Sequence, residues 1–279
     1  MDDSIPMTSA IKDHPALKWR DGRGVCADEH LAVEEPLEIR LGGRRFTLTM
    51  RTPGHDEELI AGFLLAEGFI AARGEIDEMR RVRTADGGSE PNVLDVILRV
   101  PAARLRERLK RNFTISSSCG VCGKTSIEAL QRRLEPLRRG LRISNETVLR
   151  LPPIMRKTQD VFTATGGLHA AALFTAGDDA PALVVLREDV GRHNAVDKVI
   201  GYALMHDLIP LDRAVVMVSG RLSFEIVQKT AAAGVPILCA VSAPSSLAVE
   251  LADEAGMTLI GFVREAGFNV YTHRERILV

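Results

Sequence analysis

Cysteine is scarce in this chain: Cys26, Cys119, Cys122 and Cys239 are the four in 279 residues, too few for a disulfide framework at this length. No apolar run approaches the roughly 20 residues of a membrane span. The start, MDDSIPMTSAIKDHPALKW, is polar and acidic rather than the pattern of a secretory signal. The expectation is a cytoplasmic protein in a reducing compartment, with no membrane partner. Charge of one sign is also missing: the net charge of −1 argues against a generic nucleic-acid binder. Neither GxxxxGK[ST] nor GxGxxG is present, which disfavours a Walker ATPase and a Rossmann dehydrogenase. Zinc lacks its ligands, because Cys119 and Cys122 form a lone CxxC with neither a second such pair nor a histidine pair. A zinc deaminase would carry H-x-E followed by P-C-x-x-C, whereas here the CxxC lies upstream of the α/β unit. No metal site is expected. Internal repeats and low-complexity segments are absent as well.

What is present is the balance of a soluble globular protein, 46% hydrophobic and 26% charged. Residues 1–30 show no period and are expected to be a flexible tail. Leu37, Ile39 and Leu41, then Phe46, Leu48 and Met50, alternate around Gly42-Gly43, the mark of a β-hairpin. Residues 57–67 have helical spacing behind an acidic start, and NVLDVILRV reads as another strand. These make a small α+β domain over 31–112. A CxxC loop and basic connecting segment follow over 113–143, including a short arginine-rich helix in SIEALQRRLEPLRRG.

Over 144–279 an antiparallel strand pair precedes alternating helices (192–206, 223–233, 245–255) and strands (214–219, 236–242, 257–263). The late strands are continuous apolar runs, as expected when helices cover both sheet faces. The fold class is α/β: a three-layer α/β/α C-terminal domain with a mixed sheet. Cys239, inside VPILCAV, should be a buried inert thiol.

Ligands of open α/β sheets bind beyond the carboxyl ends of the strands, and the polar residues gather there. Arg192 and His193 follow one strand, Ser219 and Arg221 the next, Ser242 the next and Arg264 the last, while His169 precedes the first. Three arginines on one edge, beside helix N-termini with free N–H groups, suit an anionic, phosphate-bearing ligand. The CxxC admits several readings. Thiol–disulfide exchange uses this spacing, but such pairs usually open a helix just after a strand. Here Gly120 and Gly123 frame the second thiol, and flanking arginines and Lys124 would stabilise a thiolate. A carrier that ferries something to an anion-binding cleft, an oxidoreductase, and a binding chaperone with dispensable cysteines all stand at this point.

CGVCG, TGGLHAAA, EDVGRHNAVDKVIG, SGRLSFEIVQK, AVSAPSSLAVELA, TLIGFVR and YTH occur in this order, and together they resemble the formate dehydrogenase accessory sulfurtransferase family, FdhD. The likeness runs from about residue 35 to the C-terminus. It implies a sulfurtransferase: a cysteine desulfurase loads sulfane sulfur as a persulfide on Cys119, assisted or protected by Cys122. The sulfur then passes to the molybdenum cofactor, bis(molybdopterin guanine dinucleotide), before insertion into formate dehydrogenase. The resemblance places a cofactor-binding segment on Phe262, Val263, Arg264, Glu265, Ala266 and Gly267, makes a guanine nucleotide a natural mimic, and implies a homodimer with a cytidine-deaminase-like domain. Within that segment Arg264 is the one cation, with Glu265 beside it.

Overall fold

The computed structural model describes residues 9–84, 86–101, 105, 137, 140–176 and 181–278. Cys119 and Cys122 lie outside the described residues, as does most of the arginine-rich sequence on either side, the SIEALQRRLEPLRRG helix included. Ile11–Arg20 (β1) and Arg23–Ala32 (β2) pair antiparallel across Asp21-Gly22, both with positive φ (49° and 74°). This corrects the expected tail for residues 11–30; residues 1–8 lie outside the described residues. Most side chains of both strands face water, so no apolar alternation marks them; the Asp-Gly turn is their one local signal.

Glu35–Leu41 (β3) and Arg44–Arg51 (β4) form the hairpin predicted around Gly42-Gly43. Both glycines have positive φ (59° and 79°), as this tight turn demands. Asp56–Ala66 (α1) comes next, and a 3-10 turn at Arg73–Glu75 leads into Ile76–Arg83 (β5) and Ser89–Leu98 (β6). The order is β4-β3-β6-β5, with β3 parallel to β6.

The second half opens with Ile143–Ser144 (β7), Asn145–Lys157 (α2) and Asp160–Thr165 (α3). His169–Thr175 (β8) and Ala182–Asp189 (β9) are the antiparallel pair. Arg192–Met205 (α4), Ala214–Val218 (β10), Phe224–Ala232 (α5), Ile237–Ala240 (β11), Ser246–Glu254 (α6) and Thr258–Arg264 (β12) then alternate. Gly267–Val270 (β13) turns back on β12, and Ile277–Leu278 (β14) pairs with β7. The six-stranded sheet has the order β13-β12-β11-β10-β8-β9; β10, β11 and β12 are parallel, and β8 is antiparallel to both neighbours. It is the mixed sheet that the sequence predicts.

Each central strand is buried on both sides, so its apolar run is unbroken. Val216, Val218, Leu238, Ala240 and Leu259 face the layer of α4, α5 and α6. Val215, Met217, Ile237, Cys239 and Ile260 face α2 through Val148, Leu151 and Met155. The first of these clusters continues into Leu37, Ile39, Leu94, Leu59 and Leu64, so β3, β6 and α1 share a core with the α/β unit. Two glycines set the contact between α1 and α4. A Cβ on Gly62 would lie 1.9 Å from the Asp197 carbonyl oxygen, and one on Gly201 would lie 1.7 Å from that of Glu58. Only glycine lets these backbones approach so closely. Glu58 of α1 also clasps Arg187 of β9 through two bonds of 2.6 and 2.7 Å. Leu137, where the chain is next described, belongs to the same cluster and donates its N–H to the Ala255 carbonyl (3.0 Å).

Candidate functional site

β9, β10, β11 and β12 run in one direction, so their carboxyl ends and the start of β8 share one edge of the sheet. At that edge the β9–α4 turn is built around Asp189, which is fully buried. Its carboxylate accepts from the Gly191 N–H (2.8 Å), the Asn194 side-chain amide (2.9 Å) and the Thr52 N–H (3.2 Å), and pairs with Lys198 Nζ at 2.7 Å. The turn delivers Arg192 and His193 to the first turn of α4, which carries no acidic residue. Cations at a helix N-terminus oppose the macrodipole, and free N–H groups there favour an anion. The sequence thus sets the Arg192 cation where an isolated helix prefers negative groups.

Gly220, just past β10, brings a second element alongside. A Cβ there would lie 3.5 Å from both His169 Nδ1 and Arg192 Cδ. His169, half-buried, has its imidazole pKa pushed below the ordinary value by burial first, then by Arg192 and His193, with Asp189 pulling the other way. It is therefore neutral at neutral pH. His193 Nε2 lies 3.3 Å from Ser223 Oγ and 3.6 Å from Glu225 Oε2. Burial works to raise the Glu225 pKa, yet the His193 hydrogen bond, its own backbone N–H and Ser223 bring it down to about 2. Arg192 Nε and Glu225 Oε1 are buried and lack a partner among the described residues.

Ser219 continues the sheet rather than facing away from it. Its Oγ accepts from the Ala170 N–H and its own N–H donates to the Ala170 carbonyl, both at 2.9 Å. The Ser242 carbonyl accepts from the Phe262 N–H at 3.1 Å. Phe262 has φ 54° at an irregularity in the β12–β13 pairing and is 39% exposed. A bulky residue in the left-handed region is unusual and tends to mark function. Val263 turns inward and is core, 1% exposed. Arg264 pairs with Gly267 across the turn of the β12–β13 hairpin, where Arg264, Glu265 and Ala266 are exposed.

The structure therefore joins His169 with Arg192, His193 with Glu225, Ser219 with β8, and Ser242 with Phe262. Arg221 and Arg264 stand exposed at the same edge, and no hydrogen bond or ion pair links them to Arg192 among the described residues. Thr52 and Gly220 are additions that sequence reasoning missed. Gly220 had a signal, a glycine directly after a buried strand; Thr52 had none, since its partners are more than 130 residues away. Cys239 is buried with its thiol pKa pushed well up by burial, and Cys26 is exposed on β2. Among the described residues no group of three His, Cys, Asp or Glu could hold a metal ion, and no helix is long and apolar enough to cross a membrane.

Fold and edge together define a mixed α/β protein with an anion-favouring strand-end shelf. Its sequence relatives sharpen that class. Residues 32–278 match the model of the FdhD/NarQ family, and the chain belongs to that family. It is 52% identical over 260 residues to the sulfur carrier protein FdhD of Mycolicibacterium paratuberculosis, covering 92% of this chain and 94% of that one. With the sulfur carrier protein FdhD of the archaeon Saccharolobus solfataricus it shares 43% over 271 residues, 96% and 98% of the two chains. A crystal structure of a protein described as a formate dehydrogenase accessory protein, from Desulfotalea psychrophila, superposes with a TM-score of 0.74. The two are 28% identical, and the match covers 96% of this chain and all of that one.

Proposed function

We propose that this protein is a sulfur carrier in the maturation of formate dehydrogenase. The observation that carries the reading is the match to the family and to relatives named sulfur carrier proteins over nearly the whole chain, within which the CxxC of Cys119 and Cys122 falls. Sulfur arrives from a cysteine desulfurase. The Cys119 thiolate attacks the terminal sulfur of the donor's persulfide, the donor's S–S bond breaks, and its cysteine leaves as a thiolate. Cys119 then carries the sulfane sulfur as a persulfide. Release as sulfide takes two electrons. The Cys122 thiol supplies them by attacking the inner sulfur, leaving a Cys119–Cys122 disulfide that a thiol reductant reopens.

The acceptor in this reading, and so the substrate of the transfer, is bis(molybdopterin guanine dinucleotide). Its phosphates suit the N-terminus of α4, Arg192 and the exposed Arg221 and Arg264, and the exposed ring of Phe262 offers a face to a planar heterocycle. We further propose a cytoplasmic homodimer. The decisive experiment is mass spectrometry after incubation with a cysteine desulfurase and cysteine. Wild type gains one sulfur atom and Cys119→Ala gains none; loading of Cys119→Ala at the wild-type level overturns the assignment.

A further inference from the structure

The segment between β4 and α1 does more than connect them. Its ends are clasped: Arg51, 2% exposed, donates to both Asp56 carboxylate oxygens at 2.9 and 3.1 Å and to Asn92 at 2.9 Å. Burial works against the Asp56 carboxylate, but Arg51 and Arg81 hold its pKa below the ordinary range, so the clasp stays charged. Between these ends sits Thr52, 3% exposed, and every polar atom it has is spent on the β9–α4 turn. Its N–H donates to Asp189 Oδ2 (3.2 Å), its hydroxyl oxygen accepts from the Val190 N–H (3.2 Å), and its carbonyl accepts from Lys198 Nζ (3.0 Å). Two residues earlier, the Met50 carbonyl accepts from the Asn194 side chain at 2.8 Å.

Those partners, residues 189, 190, 194 and 198, bracket Arg192 and His193. We infer that Thr52 is a positioning residue: the N-terminal unit braces the β9–α4 turn through it and so presets Arg192 and His193 for an anion. The inference rests on the reading of this edge as an anion site. The physical logic is pre-organisation. A turn ordered before binding does not have to be ordered by the ligand, and affinity rises accordingly.

Thr52→Val keeps the side-chain shape and removes only the acceptor for Val190, while Thr52→Ser keeps that acceptor. With guanosine diphosphate as probe, calorimetry on the full-length protein should give a Kd about fivefold higher for Thr52→Val, the worth of one neutral hydrogen bond, and a wild-type-like Kd for Thr52→Ser. Proton NMR adds a readout that a merely structural role leaves still: the His169 imidazole titration moves toward the ordinary histidine value in Thr52→Val, because Arg192 and His193 are no longer held against it.

If wild type binds the nucleotide and Thr52→Val binds equally well, the brace is wrong and the anion site stands. If wild type itself shows no binding, the anion site is wrong and the inference falls with it. Should Thr52→Val fail to fold, hydrogen exchange on wild type decides. Coupling is reciprocal, so the nucleotide must slow exchange of the Thr52 amide; unchanged exchange overturns the proposal.

Discussion

Glu225 has 7% of its surface exposed, yet its carboxylate is held ionised down to about 2 by the His193 hydrogen bond, its own N–H and Ser223 against the opposing effect of burial. A carboxylate whose pKa is depressed stabilises the fold fully above its unfolded value near 4.5, and that contribution is lost as pH falls through about 2. Glu225→Gln should therefore cost about 2 kcal/mol at neutral pH, the worth of a hydrogen bond to a charged group. Measured by urea denaturation, the gap between variant and wild type should close between pH 4.5 and 2. A gap that is flat across this range means that these hydrogen bonds to the carboxylate are not what hold Glu225. Lys229 and Asp197 are a contrasting pair, also buried, with both Lys229 contacts at 2.8 Å. Burial pushes Asp197 up to about 6 even against the pull of Lys229. The two buried carboxylates are thus shifted in opposite directions, Glu225 down by its hydrogen bonds and Asp197 up by burial.

At the scale of elements, the crossing of α1 and α4 is set by Gly62 and Gly201, each with a backbone oxygen of the other helix where a methyl group would go. Alanine at either position must separate the helices, with an expected loss of about 3 kcal/mol. Gly74→Ala, whose added methyl would meet nothing within 4 Å, is the control and should be nearly silent. The double variant should lose less than the sum of the singles, since one separation accommodates both methyls. Denaturant midpoints with unchanged slopes would report this; additive losses would mean that the two contacts are independent.

Elements also show how much was legible in the chain. β10 and β12 announce themselves because both of their faces are buried, and β3–β4 because Gly42-Gly43 interrupts a clean alternation. β1 and β2 are silent for the opposite reason: Leu17, Trp19 and Val25 are each more than 60% exposed, so no core imposes a period on their neighbours. The same holds for the site. His169, Arg192, His193 and Ser242 stand out as polar residues at strand ends, whereas Thr52 matters only through partners that the fold brings to it. Val263 is the reverse case, a residue carried along by its motif that the fold assigns to the core.

At the scale of the molecule, one buried cluster runs from Leu37 of β3 through α1 and α4 to Leu259 of β12. Two sequence units that share a core and the Thr52 brace cannot melt separately. Calorimetry should show one transition whose calorimetric and van't Hoff enthalpies agree; two resolved transitions would show that the units are energetically distinct. The shared core also bears on the covalent chain. The cysteine segment joins a part containing β1 to β6 and α1 to the part containing β7 to β14, but the glycine crossing, the Glu58–Arg187 clasp and Thr52 join the same parts without it. A single cut of the chain between Leu105 and Leu137 should therefore yield two polypeptides that elute together from a sizing column and come apart only in denaturant. The two parts are thus held together by contacts that do not depend on the peptide bonds joining them.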